Sequence, residues 1–221
     1  MAEILRGAPA AEALCEALSP RVRVLRDRGT APTLAIVRVG ARPDGVAYES
    51  SILNRCAKVG IEVQRCVLPE DCVRARLPEE IRRIKENPLV HGCLMIRPLG
   101  NLALEQEARA LLAPEKDVDG MTPLSLAAVF IGNGPGYPPC TAHACLEILD
   151  DYRIPLRGRR AVVIGRSLAA GHATSSAGRH RGYLPLRNRG TGGHLPGGPA
   201  SSSLRPGRQE WWIAPFSRRA R

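Results

Sequence analysis

Apolar positions over the first 170 residues fall into two alternating kinds of run. Short β-rich runs lie at Thr33–Val39, ended by Gly40, at 61–68, at 90–96 and at Ala161–Ile164. Between them lie longer stretches of helical composition. These cover 10–28, interrupted by Pro20, and 46–59, stopped by Gly60. Further helices are expected at 78–86, where Pro78 suits a first turn, at 102–112, and at 141–152 with Thr141 as N-cap. Strands separated by helices predict an α/β fold around a parallel sheet.

The pattern stops after residue 170. Glycine, proline and serine supply 20 of the last 51 residues, and Trp211 with Trp212 forms an isolated apolar pair. No helical or strand period persists there, and the segment buries too little surface to offset its ordering entropy. It is expected to be disordered. The organisation expected is a domain over 1–138, the start of a second over 139–170, and a basic low-complexity tail over 171–221.

Charge follows the same division. The chain of 221 residues carries a net +11. Residues 171–221 hold nine arginines against one acid, Glu210, a net +8, whereas residues 1–170 hold 23 basic and 20 acidic residues, a net +3. The body is an ordinary soluble protein with a very basic tail. The tail could contact nucleic acid nonspecifically by neutralising phosphates, although aromatic residues are not interleaved with its arginines. A solvated tail without a partner is the plainer reading.

Hydrophobic residues make up 44% of the chain, enough for a sizeable core, and no apolar run approaches the ~20 residues of a membrane span. The first residues lack the basic-then-apolar layout of a secretory signal. Seven scattered cysteines without a CxxC pair point to reduced thiols and a cytoplasmic setting.

Two segments carry candidate chemistry. The first is 114–120, Pro-Glu-Lys-Asp-Val-Asp-Gly, three acids and a lysine closed by glycine. Asp117 and Asp119 form a potential carboxylate pair, with solvation or helix capping as the plainer role for Asp117. Lys116 could pair with a neighbouring acid without touching a ligand. The second is 161–167, an apolar strand running into Gly165, Arg166 and Ser167. A strand, a glycine turn and a helix aim free N–H groups at a phosphate. Gly165 allows close approach, Arg166 suits a ribose 2′-phosphate and so NADP, Ser167 suits a phosphate oxygen or a helix cap, and Gly171 suits close packing of helix on strand. A strand–turn–helix with a capping serine explains the same residues without a nucleotide. Cys140, His143 and Cys145 lie close together, but a structural zinc site needs about four ligands. A helix start with incidental Cys and His is the simpler reading, and no metal is expected.

The order and spacing of these pieces resemble the bifunctional methylenetetrahydrofolate dehydrogenase/methenyltetrahydrofolate cyclohydrolase family. The matching segments are 32–40, Tyr48, Cys56 with 59–61, Gly92 with Pro98 and Leu99, 116–120, 139–141, and 158–167. The resemblance implies an N-terminal α/β catalytic domain, a Rossmann-type NADP domain, a cleft between them, and a homodimer. It implies binding of tetrahydrofolate derivatives at Tyr48, Pro98, Leu99 and Asp119, with Asp119 at the family's pterin-binding acid and Tyr48 as the catalytic tyrosine. It implies NADP binding at Gly165, Arg166 and Ser167.

The family's reaction transfers a hydride from the one-carbon bridge of 5,10-methylenetetrahydrofolate to NADP, and water then opens the methenyl ring to give 10-formyltetrahydrofolate. The family carries this chemistry on a Tyr-x3-Lys pair, whose spacing puts both side chains on one helix face. Here the lysine position is Ile52, and a family glutamine before Pro-Leu is Ile96. Lys58 is no substitute, ten residues along a helix being ~15 Å. Arg97 is adjacent, but strand alternation would point it to the opposite side from Ile96. Ring opening needs proton transfer, so the cyclohydrolase step is expected to be impaired while the dehydrogenase step can persist.

The tail departs from the family, whose nucleotide domain continues as helix, strand and helix. Its composition resembles the product of a shifted reading frame in a GC-rich gene, and the Rossmann-type domain is expected to be incomplete. The alternatives to an NADP-dependent dehydrogenase are a folate-binding remnant without catalysis and a basic nucleic-acid-binding protein.

Overall fold

The computed structural model describes residues 3–156, 161–164, 167, 186–189 and 211–213. Helix α1 (Gly7–Asp27) leads into strand β1 (Thr33–Val39), and α2 (Pro43–Val59), β2 (Glu62–Leu68), α3 (Val73–Glu86) and β3 (Gly92–Ile96) follow. Next come α4 (Leu102–Leu111), a 3-10 turn at Pro114–Lys116, α5 (Pro123–Ile131) and α6 (Cys140–Asp151). Strands β4 (Ala161–Ile164), β5 (Leu186–Arg189) and β6 (Trp211–Ile213) complete the described elements. The expected alternation and the parallel sheet are both present.

Strands β2, β1 and β3 lie in that order, all parallel, with Val37 of β1 opposite Cys66 on one side and Met95 on the other. The central strand is buried from Ala35 to Val39, as a parallel strand covered on both faces must be. Ala35, Val37 and Val39 share a core cluster with Cys66, Leu68, Cys93 and Met95 and with the inner faces of α3 and α4. Helix α3 contributes Val73, Leu77, Ile81 and Ile84, whose spacing keeps them on one face. Each fully buried Leu or Ile contributes ~1.5–3 kcal/mol. Alternation turns Ile36 and Arg38 to the other face, where α2 lies.

The boundaries shift for identifiable reasons. Helix α1 starts at Gly7 and passes through Pro20 without stopping. Cys15 and Val22 pack there with Val59, Leu18 and Ile61, which holds the helix together despite one missing N–H. Helix α2 begins earlier than expected, at Pro43, a residue suited to a first turn, and its stop at Gly60 is as expected, with φ 90°. Pro78 sits inside α3 rather than in its first turn, buried against the core. Strand β2 begins at Glu62, because the Ile61 N–H still donates to Cys56 O of α2. Thr141 is not the N-cap of α6; Pro139 occupies that position and no side chain caps it. Helix α5 and the 3-10 turn were not foreseen, although Thr122, Pro123 and Gly132 bracket α5 as N-cap, first residue and left-handed C-cap.

A second three-stranded parallel sheet has the order β5, β4, β6. Two segments of the tail therefore depart from the expected disorder. Leu186–Arg189 pairs with β4 on one side and Trp211–Ile213 on the other, Ala161 standing opposite both Leu186 and Trp211. Backbone ladders need no side-chain period, so composition gave no sign of them. Among the described residues no helix is long and apolar enough to cross a membrane.

Candidate active site

In an open parallel sheet, ligands bind beyond the carboxyl ends of the strands. Of the sequence-predicted residues, Tyr48 and Asp119 come together beside Arg97. Strand β1 feeds α2, which carries Tyr48, and β3 ends at Ile96, directly before Arg97, Pro98 and Leu99. The loop of Asp117 and Asp119 runs alongside, Cys93 of β3 bridging to Asp117.

The two aspartates have opposite roles. Asp117 is 1% exposed, and its carboxylate accepts from the N–H groups of Met121 at 3.0 Å and Thr122 at 2.6 Å. Thr122 in turn caps α5 by accepting from Ser125 N–H. Asp117 is therefore not a solvated loop group; it holds the backbone of the residue that caps α5. Asp119 is partly exposed, and among the described residues none donates a hydrogen bond to its carboxylate. Among the described residues its ion pair is with Arg97, whose Nη2 stands 3.7 Å from Oδ2. Burial raises the Asp119 carboxyl above its ordinary range; Arg97 pulls it back, Asp117 adds to the rise, and Arg109 opposes it.

Among the described residues Lys116 pairs with no acid, and its ammonium is turned to α3. Its ammonium donates to Ile84 O at 2.8 Å and Asn87 O at 2.7 Å, closing the carboxyl end of α3. Gly120 has φ +67°, and a Cβ there would lie 2.5 Å from Pro138 C and Pro139 N. Only glycine lets the loop approach the segment that starts α6. Cys140 completes this contact, its thiol donating to Val118 O at 2.9 Å and its N–H to Asp119 O at 3.3 Å. Burial and the charges of Asp119 and Asp117 push the Cys140 thiol up to about 11. His143 pairs with Glu147 at 3.2 Å.

Tyr48 is 54% exposed. Burial of its remainder raises the phenol above its ordinary value, the charges of Asp119 and Cys140 add to this, and Arg97 opposes them. At neutral pH the hydroxyl is therefore a donor, not a base. Ile52 is half-buried on the same helix, one turn on. Ile96 is buried at 4%, its Cγ2 3.6 Å from where a Cβ on Gly45 would stand. Both family polar positions are hydrocarbon, and Ile96 is shut into packing against the first turn of α2.

The expectation for Arg97 assumed that it lies in the strand, and it does not. Strand β3 ends one residue earlier, so alternation no longer governs Arg97, and its guanidinium reaches Asp119. Pro98 is exposed, joined to Arg97 by a cis peptide bond. Leu99 is 1% exposed, its side chain in the core cluster and its N–H donating to Glu105 Oε1 at 3.1 Å.

Sequence reasoning also missed the anchor of α2. Glu49, beside Tyr48, is 2% exposed, and its carboxylate accepts from Arg38 Nε at 2.7 Å and Arg65 Nε at 2.6 Å. Arg38 additionally donates to Gly40 O. The available signal was Arg38 itself, a charge inside the apolar run of β1.

For the nucleotide, β4 is the central strand of its sheet, the place from which a phosphate turn departs. Ser167 is exposed just beyond it. Gly165, Arg166 and Gly171 lie outside the described residues. Among the described residues no group of three or more His, Cys, Asp or Glu could hold a metal ion.

Comparison with known proteins gives the lineage. The family described as "Tetrahydrofolate dehydrogenase/cyclohydrolase, catalytic domain" matches residues 5–119. The "Bifunctional protein FolD" of Alkaliphilus oremlandii is 41% identical over 171 residues, covering 77% of this chain and 60% of that protein. The chain thus spans about three fifths of the length of that relative. The crystal structure of the bifunctional enzyme FolD, methylenetetrahydrofolate dehydrogenase/cyclohydrolase, from Campylobacter jejuni aligns with a TM-score of 0.80 at 26% identity, over 85% of this chain and 66% of that one. The Trypanosoma brucei dehydrogenase-cyclohydrolase, crystallised with NADP cofactor and inhibitor, aligns with a TM-score of 0.78 at 26% identity, over 86% of this chain and 64% of that one. By its matched catalytic domain, its parallel sheet and its strand-end loop, the chain belongs to the tetrahydrofolate dehydrogenase/cyclohydrolase family.

Proposed function

We propose that this protein oxidises 5,10-methylenetetrahydrofolate to 5,10-methenyltetrahydrofolate with NADP, and that it hydrolyses the product poorly. The observation that carries the reading is the contrast within the acidic loop: Asp117 is consumed by backbone N–H groups, while Asp119 stands open beside Tyr48. An open carboxylate suits the N–H-rich edge of a pterin, which offers paired donors.

The proposed roles follow from placement. Asp119 accepts from the pterin, Tyr48 orients the ring by donating from its phenol, and Pro98 supplies an exposed apolar contact. Leu99 supports Pro98 from the core beneath it. Gly165, Arg166 and Ser167 are the proposed phosphate contacts, and the exposed Ser167 at the end of a central strand supports that assignment. NADP, when bound, supplies the hydride acceptor. The chain's own residues contribute orientation, which is most of what a hydride transfer asks of a protein. Residues 1–138 form the folate-binding part and 139–170 open the nucleotide-binding part.

Ring opening is different, because it needs a group to move a proton. Ile52 and Ile96 cannot do so, and the raised phenol of Tyr48 makes it a poor base. The family reading also carries a homodimer and a cytoplasmic location; the described free cysteines support the latter.

The test is absorbance of reduced cofactor when purified protein meets methylenetetrahydrofolate and NADP. The expected result is NADP-dependent turnover with methenyltetrahydrofolate accumulating. Folate binding without turnover would reduce the reading to a binding protein, and methenyl hydrolysis well above the uncatalysed rate would remove its second half.

A further inference from the structure

We propose that Arg97 is a positioning residue of the folate site: its guanidinium stands beside Asp119 without hydrogen-bonding it, keeping the carboxylate ionised and its oxygens open to a ligand. This rests on the folate reading above.

The geometry has three parts. First, β3 stops at Ile96, which frees Arg97 from strand alternation and lets it lean over the strand end toward the acidic loop. Second, the separation of 3.7 Å is that of an ion pair lacking a direct hydrogen bond. The Coulomb attraction is retained, while the lone pairs of the Asp119 carboxylate stay unused. Asp117, two residues away, shows the opposite arrangement, with both oxygens taken. Third, the pair is neither buried nor fully solvated, with side-chain exposures of 41% for Arg97 and 28% for Asp119. A ligand entering from solvent reaches both.

Without a cation here, Asp119 would be poorly suited to its task. The groups acting on it are Arg97 and Arg109, which favour its charge, and Asp117, which opposes it; Tyr48 and Cys140 stand on the adjoining helices. A protonated Asp119 would turn one acceptor oxygen into a donor and lose its match to an N–H-rich ring edge.

The experiment has two readouts on the full chain, for the wild type, Arg97→Leu, Arg97→Lys and Asp119→Asn. Carboxyl-carbon NMR of the ligand-free protein gives the titration midpoint of Asp119, assigned by its absence in Asp119→Asn. Tetrahydrofolate affinity is measured from pH 5 to 8 by fluorescence quenching under reducing conditions. In Arg97→Leu the Asp119 midpoint should rise by about half a pH unit or more, and the acid limb of the affinity profile should move with it. Arg97→Lys should restore most of both, which a purely structural role would not predict. An Asp119 midpoint unchanged in Arg97→Leu overturns the proposal while leaving the folate reading intact. So does a midpoint that moves while the acid limb stays. A wild type that binds tetrahydrofolate no better than Asp119→Asn overturns both.

Discussion

Glu49 and Arg38 form a buried ion pair at 2.7 Å, the carboxylate 2% and the guanidinium 8% exposed, and it ties the tyrosine-bearing helix to the central strand. Arg65 of the edge strand closes the other carboxylate oxygen at 2.6 Å but is itself 54% exposed. The two arginines should differ sharply in weight. Glu49→Ala leaves Arg38 as an uncompensated buried charge and should cost ~3–5 kcal/mol. Arg65→Ala removes an exposed partner and should cost about 1 kcal/mol or less. Urea denaturation of both variants checks this; equal losses would show that the burial of Arg38 does not set the energetics.

The same carboxylate fixes a pH dependence. Hydrogen bonds from Arg65 and Arg38, opposed by burial, hold Glu49 below its ordinary value. A folded value below the unfolded one, about 4.3, means stability that is present above that pH and lost as pH falls through the folded value. The stability gap between wild type and Glu49→Gln should therefore be constant from pH 6 to 8 and shrink below about pH 4. A gap that persists unchanged in acid would exclude this account.

Asp119 has the opposite sign. Its folded value lies above its unfolded one, so ionising it at neutral pH costs stability, and that cost disappears as pH falls through the folded value. Asp119→Asn should therefore match or exceed the wild type in stability at pH 7 while losing tetrahydrofolate affinity. Thermal denaturation beside a binding titration checks both halves. A variant that is both destabilised and binding-competent would reverse the assignment of Asp119 as a ligand group.

Gly120 lets the acidic loop pass close to the start of α6. Alanine there meets two backbone atoms at 2.5 Å and adopts an unfavourable φ. Gly120→Ala should cost ~1–3 kcal/mol and weaken folate binding, because the loop must draw Asp119 away from Pro138. Gly29 has positive φ but nothing within 4 Å of its Cβ position, so Gly29→Ala serves as the control. Chemical denaturation should show the smaller loss at Gly29.

Much of this protein is determined locally. Thr33–Val39 reads as a strand because β-branched and apolar residues crowd between glycine signals, and α2 ends at Gly60 because that position adopts φ 90°. Helix–strand alternation then leaves few options besides a parallel sheet, whereas the place of the Asp119 loop beside β3 is set by tertiary contacts. The charges were different. The resemblance already set Asp119 apart from Asp117, but only the return of the chain at Met121 and Thr122 shows what occupies the Asp117 carboxylate. Lys116 finds carbonyls at Ile84 and Asn87, about thirty residues away, and Glu49 finds Arg38 and Arg65 on two strands. Hydrophobic periodicity acts over a few residues and survives in the sequence; the partner of a charge is set by which elements the sheet brings within a few ångströms, and that is decided in three dimensions.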